Sequence, residues 1–132
     1  MIKKFDHVGL AVKDTAETAA LLSRLFGFEI GEILVDREAG FKSTMISNAD
    51  VTLELIEPVG PQGMIQKFIE KRGGGLHHVS IEVADIDEEI KHLRSQGVQF
   101  VSEEPALVSG SRLVFIHPRS TNGLLIELKQ KG

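Results

Sequence analysis

Apolar and polar residues alternate over residues 5–12 and again over 76–83, the period of a half-buried strand. A different period follows each stretch. Leu21, Leu22 and Leu25 fall at helical spacing after the first, and Ile86, Ile90 and Leu93 after the second. Each predicted helix opens on an Asp with a Glu three residues later, Asp14 with Glu17 and Asp85 with Glu88, a capped start. Each closes on a glycine, Gly27 or Gly97. The two stretches are copies: Phe5-Asp6-His7-Val8-Gly9-Leu10-Ala11-Val12 resembles Leu76-His77-His78-Val79-Ser80-Ile81-Glu82-Val83 at an offset of 71 residues. Further on, Val51-Thr52-Leu53-Glu54-Leu55 resembles Leu124-Leu125-Ile126-Glu127-Leu128 at an offset of 73. Each half therefore reads as strand, helix, then three strands. The later strands are expected near 28–35, 40–47 and 51–57, and near 98–102, 111–117 and 124–130. Asn48-Ala49-Asp50 reads as a hairpin turn.

The pattern predicts an α+β fold: two βαβββ modules in tandem forming a curved mixed sheet with helices on its outer face. Module one covers about 1–57 and module two about 76–132. Between them, 58–75 is a connector in which Met64, Ile65, Phe68 and Ile69 predict a short amphipathic helix. A module of about 60 residues buries too little core to stand alone, so a single domain over 1–132 is expected.

Composition narrows the chemistry. The 132 residues contain no Cys, so disulfides, thiolate metal sites and thiol nucleophiles are excluded. A net charge of -4 and Phe as the sole aromatic residue argue against nucleic-acid binding. No apolar run approaches a membrane span of roughly 20 residues, and residues 1–6 lack the apolar core of a signal peptide. A cytoplasmic location is the expectation. Chemistry must then rest on His, carboxylates, Ser or Lys, with or without a metal.

Strand parity selects candidates. Val8, Leu10 and Val12 share one face of the first strand, and His7, Gly9 and Ala11 the other. In the fifth, Val79, Ile81 and Val83 oppose His78, Ser80 and Glu82. Glu54 and Glu127 likewise leave the helix-packed faces of their strands. A lone His or Glu in a strand more often meets solvent or a hydrogen-bond partner than a metal. The pairing of His7 with His78 and of Glu54 with Glu127 is what singles these four out. Two imidazoles and two carboxylates suit a divalent ion such as Co, Mn, Ni, Fe or Zn, with two positions left for waters or a bidentate substrate. His77 falls on the helix side and is read as structural. His92 and His117 are read as solvated or locally hydrogen-bonded.

These features resemble the vicinal oxygen chelate superfamily of glyoxalases, extradiol dioxygenases and bleomycin-resistance proteins. The closer resemblance is to its methylmalonyl-CoA epimerase family. It is carried by Asp6-His7-Val8-Gly9-Leu10-Ala11-Val12, by Glu54-Leu55-Ile56-Glu57-Pro58, by the stretch from Phe68 through Gly73-Gly74-Gly75-Leu76-His77-His78-Val79, and by that from Phe115 to Leu128. The resemblance implies metal ligands at His7, Glu54, His78 and Glu127. It implies a metal-dependent isomerase acting on an acyl-CoA thioester, with Glu127 removing the α-proton, and a homodimer. Arg112 and Arg119 become candidate substrate contacts. Many family members carry a second base, a Glu, on the third strand; here Ser43 stands at that position, and parity gives no reason to choose nearby Glu38 instead. Other readings are a glyoxalase I type lyase and a non-catalytic small-molecule binding protein of the same fold.

Overall fold

The computed structural model describes residues 2–132. Its elements run β1 (Ile2–Ala11), α1 (Thr15–Phe26), β2 (Glu29–Asp36), β3 (Phe41–Asn48), β4 (Val51–Pro58), α2 (Met64–Arg72), β5 (Gly75–Val83), α3 (Ile86–Ser95), β6 (Ala106–Val108), β7 (Ser111–Ile116) and β8 (Ile126–Gln130). This is βαβββ twice, with a helix in the connector. The chain divides into two compact units, one of residues 7–77, the other of residues 2–6 and 78–132. The connector helix thus groups with the first module, and the opening of β1 with the second.

In residues 7–77 the strand order is β2-β3-β4-β1, with β1 parallel to β4 and the other pairs antiparallel. Helix α1 starts where Asp14 accepts from the Glu17 amide. A second acceptor serves the same turn: Glu57 Oε1 takes the Thr15 amide at 3.0 Å. Left-handed Gly27 ends the helix, its N–H on Ser23 O. Asn48, at the β3–β4 hairpin, donates to the exposed-end carbonyl of Phe26 at 3.0 Å. Ala19 and Leu22 of α1 pack on Leu10, Ile46, Leu53 and Leu55.

Helix α2 lies on the opposite face. Ile65, Phe68 and Ile69 cover Ala11, Ile56 and Phe41, residues whose parity matches His7 and Glu54. The expectation of helices on one outer face therefore holds for α1 but not for the connector. The reason is local: Ala11 and Ile56 leave an apolar patch on the His7 face, and α2 has an apolar stripe to bury. Gly74 lets the chain turn from α2 into β5; its φ is +117° and a Cβ there would sit 2.9 Å from Ala11 O.

In the other unit the order is β5-β8-β7-β6, with β5 parallel to β8. Asp85 caps α3 through the Glu88 amide, and Gln130 Oε1 accepts the Ile86 amide at 2.8 Å. Glu57 and Gln130 thus fill one role in the two repeats. Ile86, Ile90 and Leu93 pack on Ile81, Val83, Val114, Ile116 and Leu128.

Two strand boundaries differ from expectation. Residues 98–102 form only a bridge, Phe100 to Ile116, flanked by Val101 N to Phe115 O and His117 N to Gln99 O. The chain then bends through Ser102-Glu103-Glu104-Pro105 and resumes pairing as β6, with Ala106 opposite Leu113. Pro105 has no N–H to give a ladder, so pairing breaks there. β2 carries a milder interruption at the matching place, a register shift between Ile30 and Ile33. β8 begins at Ile126 rather than 124, because Leu124 is held in a turn with Thr121, whose Oγ1 donates to Leu124 O at 2.6 Å.

Candidate functional site

The site residues come in two sets, one per unit. In residues 7–77, β1 and β4 run parallel with Gly9 beside Glu54. His7 lies two residues before Gly9 on the same face, and its Nε2 approaches Glu54 Oε1 to 3.3 Å. The imidazole is almost fully buried and the carboxylate partly so. Gly9 brings no side chain between them. The α2-covered patch of Ala11 and Ile56 closes one end of this face.

In the other unit the same arrangement recurs. β5 and β8 run parallel with Ser80 beside Glu127, the register position of Gly9 and Glu54. His78 and Glu127 are both buried. Phe115, in register with Glu127 on β7, stands edge-on to the His78 ring at 5.6 Å between centroids. Ser80 Oγ lies 2.7 Å from Glu127 Oε1. Burial of a His and a carboxylate without solvation demands partners, and a donor set of imidazoles and carboxylates is one a divalent cation satisfies.

Beyond Ser80 and Glu127 on this face, charges take over. Lys129 and Lys131 reach Asp6 at 3.2 and 2.9 Å, and Lys131 and Lys3 reach Glu82 at 3.2 and 3.3 Å. Lys131, with help from Lys3, holds the Glu82 carboxyl below its ordinary pKa, against the opposing effect of burial. Asp6 and Glu82 in turn raise Lys131. Sequence reasoning placed Glu82 on this face but did not see the network. Its signal was the charged character of an outward face that in the other repeat ends in Ala11.

The other candidates separate. His77 packs edge-on against Phe68 of α2 at 5.0 Å; burial lowers its pKa, and the Glu54 carboxylate partly opposes this. Its ring contact fits a structural role. His117 accepts the Arg119 amide through Nδ1, and His92 is exposed on α3, both as expected. Arg112 is not on the Glu127 face. It makes two hydrogen bonds to Asp87 of α3, at 2.8 and 2.9 Å, on the helix side of β7. Alternation along β7 puts Arg112 with Val114 and Ile116, away from Phe115. Arg119 is exposed in the short 3-10 turn Pro118–Thr121 that leads toward β8. Ser43 is buried on the His7 face of β3, in register with Ile56, whereas Glu38 is exposed in the β2–β3 turn.

Known proteins match this chain along most of its length. The model of the glyoxalase/bleomycin resistance protein/dioxygenase superfamily matches residues 6–115. An ethylmalonyl-CoA/methylmalonyl-CoA epimerase of Cereibacter sphaeroides is 34% identical, over 98% of this chain and 99% of its own. The crystal structure of methylmalonyl-CoA epimerase from Mycobacterium tuberculosis superposes with a TM-score of 0.94 at 30% identity, covering 99% of this chain and 89% of that one. A variant of the Streptomyces coelicolor methylmalonyl-CoA epimerase, solved with 2-nitronate-propionyl-CoA, gives a TM-score of 0.92 at 30% identity, over 100% of this chain and 99% of that one. With two βαβββ repeats, a His and a Glu at matched positions in each, and a family match spanning both, the chain belongs to the glyoxalase/bleomycin resistance protein/dioxygenase superfamily.

Proposed function

We propose that this protein is a metal-dependent epimerase of methylmalonyl-CoA or a closely related acyl-CoA. The observation that carries the reading is the doubled His and Glu, His7 with Glu54 and His78 with Glu127, at matched sheet positions in a chain similar end to end to epimerases of that name. In this reading His7, Glu54, His78 and Glu127 are the ligands that would hold one divalent ion, a donor set of imidazoles and carboxylates that suits such a cation. The ion supplies Lewis-acid stabilisation of the negative charge that develops on substrate oxygen. Glu127 takes the proton from the carbon between thioester and carboxylate, and a different proton, delivered to the opposite face by a second acid or by solvent, completes the inversion. His7 and His78, both buried, would serve as ligands rather than transfer a proton. The complex of a similar epimerase with an acyl-CoA analogue supports a CoA thioester as substrate. Exposed Arg119 is the basic candidate for a carboxylate or phosphate of that substrate, while Arg112 would have to leave Asp87 to serve. Ser43, buried on the His7 face, takes no base role by itself, since a serine hydroxyl does not ionise near neutral pH.

The two units form one domain, and two copies of the chain form a homodimer in the cytoplasm. No helix among the described residues is long and apolar enough to cross a membrane. The test is α-proton exchange of (2R)- or (2S)-methylmalonyl-CoA in deuterated water with added Co²⁺ or Mn²⁺. Deuterium incorporation with interconversion of the two epimers is expected. No exchange with either epimer, with metal bound, sinks the reading.

A further inference from the structure

Gly9 and Ser80 hold the same position in the two repeats, each beside the module's glutamate in a parallel strand pair. Gly9 brings no side chain, and Glu54 meets His7. Ser80 brings a hydroxyl that is wholly buried and lies 2.7 Å from Glu127 Oε1, itself on a buried residue. An ionised carboxylate only accepts, so Ser80 donates. A charge-assisted hydrogen bond of this length in a dry environment is among the stronger and more directional kinds. The backbone arrangement does not require it, because the other repeat builds the same parallel pair around glycine. At this position the repeat is therefore broken by one side chain, and it is broken beside Glu127.

We infer that Ser80 is a positioning residue for Glu127: its hydroxyl holds Oε1 and so sets the rotation of the carboxylate, directing Oε2 to its work. This rests on the reading of Glu127 as metal ligand and base. It separates the two glutamates that the repeat makes look equivalent. Glu54, beside Gly9, has no counterpart of the Ser80 hydroxyl. Glu127 is anchored by a neutral donor on one oxygen and keeps its orientation while the other oxygen acts.

Ser80→Ala removes the hydroxyl, and Ser80→Thr keeps it. Two measurements on the full-length protein decide the matter: Mn²⁺ affinity by calorimetry, and the kcat and KM of methylmalonyl-CoA epimerisation at saturating Mn²⁺. Ser80→Ala is expected to bind Mn²⁺ roughly tenfold more weakly, as loss of a hydrogen bond to a metal ligand does. It should lose roughly tenfold in kcat with KM unchanged, the mark of an interaction that matters in the transition state. Ser80→Thr should recover both. Wild-type Mn²⁺ affinity and kcat in Ser80→Ala overturn the inference. Equal losses in the Ala and Thr variants, both with native circular dichroism, also overturn it, since packing and not the hydroxyl would then matter. A wild-type protein that binds Mn²⁺ but epimerises nothing refutes the substrate reading alone, and the Mn²⁺ affinities of the variants still decide Ser80. A wild-type protein that binds no divalent metal removes Glu127 as a ligand and this inference with it.

Discussion

At the scale of single residues, similar side chains have different duties because their neighbours differ. His77 and His78 are adjacent in sequence, yet His77 packs on Phe68 of α2 while His78 packs on Phe115 of β7 beside Glu127. Alternation along a strand is enough to separate them. Arg112 and Arg119 looked alike in the sequence, but Arg112 is bound by Asp87, which raises its pKa, on the side away from Glu127. Long side chains choose partners in three dimensions, and parity of β7 was the only hint. From the residues themselves, His78→Ala should lose divalent metal and at least 100-fold in turnover, while near-native circular dichroism shows that the fold survives. Glu127→Gln should retain the fold and lose roughly 100-fold or more in kcat, the usual reach of a general base. Activity retained in either variant removes that residue from its role.

At the scale of elements, the sequence was most legible where the signal is local. Asp14 and Asp85 cap the helices they were expected to cap. Replacing either by Ala should lower unfolding free energy by about 1 kcal/mol, read from urea denaturation. The loss is smaller where the second acceptor, Glu57 or Gln130, still holds its amide. That second acceptor was missed because it lies 44 residues from Ile86 in one repeat and 42 from Thr15 in the other. Likewise, the alternation over 98–102 is genuine, but strand pairing is a property of two segments, and β7 finds its main partner at 106–108 after the bend before Pro105. The connector helix was legible as a helix; which face of the sheet it covers was not, since amphipathicity shows that a helix packs and not upon what.

At the scale of the whole molecule, the ion network of Asp6, Glu82, Lys3, Lys129 and Lys131 ties the opening of β1 to the strands of the second module. Glu82 has its carboxyl pKa depressed in the folded state, so its contribution is present above the unfolded value of 4.5 and is lost as pH falls through the folded one. Stability should therefore fall on acidification below about pH 4.5, and Glu82→Gln should flatten that acid limb in urea midpoints measured from pH 3 to 7. An unchanged limb would assign the acid sensitivity to other carboxylates. Because one unit takes in both residues 2–6 and 78–132, neither repeat is cut out cleanly by chain position. The full chain is expected to unfold in a single transition, with far-ultraviolet circular dichroism and histidine NMR signals moving together. Two separated transitions would refute a single domain. The sequence alone determined what is periodic and local: the two repeats, their helix starts, and the faces on which His7, Glu54, His78 and Glu127 lie, because side-chain direction follows from backbone period. Only the tertiary structure decided what depends on distant partners: the engagement of Arg112 by Asp87, the covering of the His7 face by α2, and the hydrogen bond from Ser80 to Glu127 across 47 residues of chain, because such contacts are chosen by packing and charge after the strands have paired.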